Sequence, residues 1–320
     1  MEQLVEKYKQ MLLIRYCEEA FVEPILTGTI RCPVHLCSGQ EAIPVGVCHS
    51  LETTDAVFGN HRSHGHYLAK TGDLQGLVSE VFCRQSGCCG GRGGSMHLYN
   101  PKKGFYGSAP IVAGTVPLAV GAALTAKVRK TDRVAVTFFG DGAVGEGVIY
   151  ESLNFAAIQK LPVLFVCENN LYATHMSIDD CRVGRDIYTF VKPLGVQCFC
   201  IDGNDVETVM NVSQESVQLC RNGKGPVFIE CKTYRMRGHV GPDDNIQGTH
   251  TDIRPRKEIE EWKAKDPIER AKISLFSKSL LTENDDQFIR SSISSAVSSS
   301  VQKALADNFP INTSIYDNVF

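Results

Sequence analysis

Long apolar runs are missing from the 320 residues, and no stretch is long enough to span a bilayer. An excess of one charge is missing too. Thirty-three Lys and Arg against 36 Asp and Glu leave a net charge of −3, so nothing in the bulk charge favours nucleic acid or an anionic membrane as a partner. The opening MEQLVEKYKQMLLIRYCEEAF lacks the basic start and unbroken apolar stretch of a secretory signal. It also lacks the acid-poor composition of a transit peptide, and a cytoplasmic location is expected. Thirteen cysteines are present but none are spaced CxxC; Cys88 and Cys89 are adjacent, and Cys198 and Cys200 form a CxC. Zinc knuckles need closely spaced ligand pairs and disulfide scaffolds are small and secreted, so buried or incidental thiols in a reducing compartment are expected. Internal repeats are absent.

What is present is an alternating pattern. Leu4, Tyr8, Met11, Leu12 and Ile14 recur at helical spacing. Residues 27–100 are rich in Gly and His and read as loops interleaved with helices, and a further helical region begins at 108–112 and runs through PLAVGAALTAKV. Short apolar runs at 133–139, 163–167, 196–201 and 227–231 have the composition of buried parallel strands. Between the first two, Ile149, Leu153, Ala156 and Ala157 share one helix face. Strand and helix in alternation predict an α/β fold with a parallel sheet flanked by helices on both faces. The Ser-rich stretch 287–306 resembles a linker. Its residues Ile289, Ile293, Val297, Val301 and Leu305 nevertheless recur every fourth position, which predicts an amphipathic helix.

Gly140-Asp141-Gly142 ends one predicted strand and Asn169-Asn170 ends the next. In a parallel sheet both positions lie at the carboxyl edge, where open α/β folds bind ligands, so Asp141 and Asn170 can converge. The glycines permit close approach, and a helix starting near Gly145 can point N–H groups at an anion. Together these parts suit a metal–diphosphate site: Asp141 gives charge, Asn170 a neutral carbonyl, and a backbone carbonyl near Tyr172 a third oxygen for Mg²⁺. GDGAVG also fits the dinucleotide fingerprint, with Glu168 ending the next strand. That reading leaves Asp141 facing a pyrophosphate without a metal and the two asparagines unexplained. His61, His64 and His66 invite a metal reading of their own, but no carboxylate partner is evident for them.

GDG followed about thirty residues later by NN resembles the signature of thiamine diphosphate enzymes. The resemblance extends over HLCSGQEAIPVG (35–46), HRSHG (61–65), GRGGSMHLY (91–99), IVAGTVPLAVGAAL (111–124), FFGDGAVGEGVIYESLNFAA (138–157), PVLFVCENNLYA (162–173), GPVFIECKTYRMRGH (225–239) and KDPI (265–268). Blocks in this order are similar to the alpha subunit of the first component of pyruvate, acetoin and branched-chain 2-oxo acid dehydrogenase complexes. The resemblance implies a thiamine diphosphate-binding fold in a single alpha-subunit domain over 1–320. Its diphosphate-binding core would cover roughly 105–235 and its helical tail roughly 255–310.

The resemblance also implies roles. Asp141, Asn170 and the Tyr172 carbonyl match the Mg²⁺ ligands, and Gly142 and Ala143 would sit by the diphosphate. Arg62 would neutralise a phosphate, and Val112 would be the apolar wedge that forces the two cofactor rings into a V. The carbonyl of residue 110 would accept a hydrogen bond from the aminopyrimidine. His239 matches the active-site loop histidine, and His64 a second polar group at the entrance. His61 stands where tyrosine is usual and Pro110 where glycine is usual. Val240 stands where animal pyruvate enzymes carry a regulatory serine, and the stretch 241–254 differs from the family in detail. The implied partners are a beta subunit in an alpha2beta2 heterotetramer, with the small-residue helix 118–126 packed across the interface, and a lipoyl-bearing acyltransferase component. The implied substrate is a small 2-oxo acid or acetoin, and the lack of a long amino-terminal extension favours the pyruvate and acetoin members. The non-enzyme alternative is an inactive paralogue that scaffolds a complex.

Overall fold

The predicted strands form one parallel sheet, and two short segments that the apolar pattern misses complete it. The structure is a computed structural model that describes residues 2–242 and 254–311. Most of the divergent stretch 241–254 therefore lies outside the described residues. The strands are β1 (Ala56–Gly59), β2 (Phe105–Ser108), β3 (Ala135–Gly140), β4 (Val163–Asn169), β5 (Tyr172–Ala173), β6 (Met176–Ser177), β7 (Gln197–Asp202) and β8 (Val227–Lys232). The six-stranded sheet has the order β2-β1-β3-β4-β8-β7 with every pair parallel, and β5-β6 is a small antiparallel hairpin beside it. Strands β1 and β2 fall within and just after the stretch read as loops and helices. At four residues each they are too short to show a period.

The helices are α1 (Glu2–Leu26), α2 (Ala42–His49), α3 (His64–Thr71), α4 (Leu74–Val81), α5 (Val116–Val128), α6 (Gly147–Gln159), α7 (Ile178–Cys181), α8 (Tyr188–Val191), α9 (Val206–Arg221), α10 (Arg256–Lys263), α11 (Pro267–Ser277) and α12 (Glu283–Ala306). Alternate strand residues feed two cores. Val57, Val136, Phe138, Leu164, Val166, Val227 and Ile229 pack with α1–α4, α9, α11 and α12 on one face. Ala56, Phe58, Ala135, Phe139, Phe165, Cys167 and Phe228 pack with α5 and α6 on the other. β3, β4 and β8 are buried on both faces and carry no polar alternation, which is why they read as continuous apolar runs; β7, expected to be buried, is the partly exposed edge of the sheet.

Two sequence expectations need correction. The helix expected to begin at 108–112 begins at Val116, and residues 109–115 form a turn instead. Pro110 disfavours helical geometry for the residue before it, and Ala113 takes a φ of 59°. The tail does form the helix α12, capped by Thr282 and Asp285, and Ile289 and Val297 are buried. Leu305, however, is 41% exposed and Ala304 is buried in its place. A four-residue step overshoots the 3.6-residue turn, so the stripe drifts around the helix.

The topology fixes where a ligand can sit. The chain steps from β1 outward to β2, then returns to the other side of β1 for β3, so the strand order reverses between β1 and β3. Loops leave these two strands in opposite directions, which opens a crevice at their carboxyl ends. Among the described residues no helix is long and apolar enough to cross a membrane.

Candidate active site

The crevice is a cleft of about 350 Å³. Its walls come from the carboxyl ends of four strands: Asn60, His61 and Arg62 after β1, Pro110–Ala113 after β2, Asp141–Ala143 after β3, and Asn170–Thr174 after β4. His35, Gln40 and His239 close it from other segments. Parallel register aligns Gly140 with Glu168, so the residues that follow emerge side by side.

Asp141 is 5% exposed, and its Oδ1 accepts the Asn170 backbone N–H at 3.2 Å. Burial pushes its carboxyl up to about 6, against hydrogen bonds from its own turn and from Asn170 and the more distant charges of Arg235 and Arg182. Among the described residues no ion pair to this carboxylate is formed. Asn170 Oδ1 accepts the Tyr172 N–H at 3.3 Å, while its Nδ2 donates to Gln40 Oε1 at 3.0 Å. The amide oxygen is thereby turned toward the segment that carries Tyr172. The Tyr172 hydroxyl points away and donates to Glu258 Oε2 at 2.6 Å. Gly142 is required by closeness: a Cβ there would lie 2.8 Å from the Ala173 Cβ. Ala143 is buried beside it.

Arg62 is 4% exposed, and its guanidinium donates to the carbonyls of Leu36 at 2.6 Å and His239 at 3.1 Å. A guanidinium held at the cleft wall can bond two oxygens of an anion at once. Burial, with Arg62 next, pushes the His61 and His239 imidazoles down to about 2, so both are neutral at neutral pH. Val112 and Ile111 are 51% and 71% exposed and form an apolar lip on the cleft, with Pro110 half-buried beside them.

One expected residue stands elsewhere. His64 was expected at the entrance, but it is fully buried and does not line the cleft. Its Nδ1 meets Glu18 Oε1 at 3.0 Å and its Nε2 meets Ser95 Oγ at 2.8 Å. It opens α3, whose first turn faces α1, and the Glu18 carboxylate draws the ring inward. His66 is likewise occupied, between Ser63 Oγ at 3.1 Å and Glu168 Oε1 at 3.0 Å. Glu168 therefore bonds His66 through Oε1 while also lining the cleft.

The sequence reading gave no role to His35 or Gln40. Both belong to the block 35–46, and the signal available was their polarity next to apolar Leu36 and Ala42. Gly39 makes their placement possible: its φ is +98°, and a Cβ there would strike the Tyr234 carbonyl at 2.6 Å. Glu41 then clamps the loop by accepting from the Gly39 N–H and from Arg15.

The family described as "Dehydrogenase E1 component" matches residues 8–312. The chain belongs to that family. It is similar to the alpha subunit of acetoin:2,6-dichlorophenolindophenol oxidoreductase of Bacillus subtilis (strain 168), 38% identical over 95% of this chain and 88% of the relative. It is 36% identical to the pyruvate dehydrogenase E1 component subunit alpha of Rhizobium meliloti (strain 1021), over 98% of this chain and 89% of the relative. The chloroplastic subunit alpha-3 of Arabidopsis thaliana is 35% identical, over 100% of this chain and 74% of its own. As an E1 family member the chain is an alpha subunit of a thiamine diphosphate-dependent 2-oxo acid dehydrogenase, an oxidoreductase.

Proposed function

We propose that this chain is the alpha half of a first component that uses thiamine diphosphate and Mg²⁺ to decarboxylate a small 2-oxo acid, pyruvate foremost. The acyl group would pass to a lipoyl-bearing acyltransferase component. The convergence of Asp141, Asn170 and the Tyr172 segment on one side of the cleft, with Arg62 and His239 on the other, carries this reading. The donor set suits the group: one carboxylate, one amide oxygen and one backbone carbonyl are hard oxygen ligands, as Mg²⁺ prefers. Bound there, thiamine diphosphate supplies an electron sink for loss of CO₂ from a 2-oxo acid.

The chain's own residues would bind and orient. Asp141 and Asn170 would hold the metal with the Tyr172 carbonyl, and Gly142 and Ala143 would let the diphosphate approach the backbone. Arg62 would neutralise a phosphate oxygen with its fixed guanidinium. Val112 would press between the cofactor rings, while the Pro110 carbonyl would accept the aminopyrimidine hydrogen bond; proline keeps its carbonyl, so the replacement of glycine costs only backbone freedom. His239, neutral and held by Arg62, would face the reacting centre, with His61 beside it. Water must be kept from that centre, and Ile111, Val112 and Leu118, 71%, 51% and 58% exposed, form an apolar surface that a beta subunit would cover in an alpha2beta2 assembly. The proposed location is cytoplasmic, a reading that the thirteen free thiols support. Acetoin cleavage is the second reading, favoured by the likeness to the Bacillus subtilis subunit.

Expressing the chain with and without a beta-type partner tests the proposal. CO₂ release from pyruvate and branched 2-oxo acids with an artificial electron acceptor, together with acetoin cleavage, is expected only with the partner. Full activity from the alpha chain alone would overturn the shared site. Inactivity on every substrate with an intact partner would favour the scaffold.

A further inference from the structure

Away from the cleft, two thiols from distant parts of the chain meet at the carboxyl end of α4. Cys83 directly follows that helix and its cap Phe82, and Cys32 belongs to the stretch between α1 and α2. The Cys32 Sγ lies 3.6 Å from the Val81 carbonyl oxygen, and the Cys83 Sγ lies 4.0 Å from the same atom. Both residues are partly exposed, and neither is in a disulfide. Hydrogen bonding with the Cys32 thiol, and then the charges of Arg84 and Arg31, hold the Cys83 thiol down to about 7 against burial and the Glu80 carboxylate. The Cys83 sulfur, together with burial, pushes the Cys32 thiol up. At neutral pH the pair is one thiolate beside one thiol, which is what disulfide exchange needs. Thiols inside the core differ: burial pushes Cys17, Cys167 and Cys231 well up and leaves them inert.

We propose that Cys32 and Cys83 form a redox-active dithiol, a modification site that small-molecule disulfides of the glutathione type oxidise to an internal bridge. The Cys83 thiolate attacks one sulfur of the small disulfide and breaks its S–S bond. A mixed disulfide forms on Cys83, and one small thiolate leaves and takes up a proton. Cys32 then gives its proton to solvent, attacks the Cys83 sulfur and releases the second small thiol. The protein loses two electrons and two protons, and the small disulfide gains both as two thiols. Cys88 and Cys89, with sulfurs 4.0 Å apart, are the rival pair. Neighbouring Cα atoms stand about 3.8 Å apart, short of the roughly 4.4–6.8 Å that a disulfide spans. Glu80 also holds the Cys89 N–H at 2.7 Å, and the Cys89 thiol donates to the His97 carbonyl at 3.1 Å. A Cys32–Cys83 bridge would join the end of α4 to the segment that reaches the cleft wall at His35.

Incubating the reduced full chain in glutathione buffers of rising oxidised fraction, with acid quenching and peptide mapping by mass spectrometry, tests the site. A bridge between the Cys32 and Cys83 peptides is expected, reversed by dithiothreitol, with Cys88 and Cys89 still reduced. At pH 7 a thiol held at about 7 should react with glutathione disulfide roughly fivefold faster than an ordinary cysteine, because the gain in thiolate outweighs its lower nucleophilicity. Cys32→Ser should stop the reaction at a stable glutathione adduct on Cys83, and Cys83→Ser should leave Cys32 unmodified. Cys83→Gly, which suits the φ of 56° at that position, gives the same readout if the serine variant does not fold. No bridge at any glutathione ratio, an adduct that persists on Cys83 in the unaltered chain, or a bridge confined to Cys88 and Cys89 would overturn the proposal.

Discussion

Asn170 donates its backbone N–H to Asp141 Oδ1 at 3.2 Å across 29 residues of sequence. That contact ties the ends of β3 and β4 together around a buried carboxylate. Burial raises the Asp141 pKa from 3.8 to about 6, so the folded chain binds this proton more tightly than the unfolded chain. Without metal, stability should therefore fall as pH rises from about 4 to about 6, by roughly 3 kcal/mol from this group. Asp141→Asn should remove that loss and also abolish Mg²⁺-dependent cofactor binding. Denaturant melts across this range and calorimetry with thiamine diphosphate measure both. Normal cofactor affinity in the variant would exclude Asp141 as the metal ligand.

Gly142→Ala places a Cβ 2.8 Å from the Ala173 Cβ, and neither atom has a rotamer by which to escape. The hairpin that carries Tyr172 must then move. Cofactor affinity should drop about tenfold, or ~1.4 kcal/mol, within the range of an overpacking cost. Adding Ala173→Gly should restore it. Failure of that rescue would count against steric closeness as the reason for glycine.

Val112 is 51% exposed at the cleft, so Val112→Ala should change stability by no more than about 0.5 kcal/mol. If Val112 wedges the cofactor, turnover should fall further than affinity, which the diphosphate and metal dominate. Equal losses in kcat and in cofactor affinity would argue against the wedge.

His64→Ala should act on stability. It takes one of three partners from Glu18, a fully buried carboxylate whose pKa burial would raise and His64 lowers, and leaves it the Cys37 N–H and the Ser38 hydroxyl. Breaking such a buried pair costs about 3–5 kcal/mol, and the thermal midpoint should fall by several degrees. An unchanged midpoint with lost activity would return His64 to an entrance role.

The four longer apolar strands, the helix between β3 and β4 and the paired GDG and NN turns are legible in the residues. Their signals are local: a run of buried side chains or a glycine beside a carboxylate. β1 and β2 are not legible, because four residues carry no usable period, although β1 is where the sheet reverses and the crevice opens. The turn at 109–115 was read as helix because small apolar residues suit either state, and Pro110 with the positive φ of Ala113 decided it.

The sequence by itself determined the parallel α/β architecture and the positions of Asp141 and Asn170, the proposed oxygen ligands, at the carboxyl ends of two consecutive strands. Only the tertiary structure decided which histidines face the cleft. His35 and His61 are 26 residues apart and His239 lies far beyond both, yet their rings meet because the Gly39 turn and the segment after β8 close over β1. His64, two residues before His66, turns away because a buried Glu18 on another helix offers a stronger partner than water. A side chain's burial and partner depend on segments distant in sequence, and no local pattern encodes them.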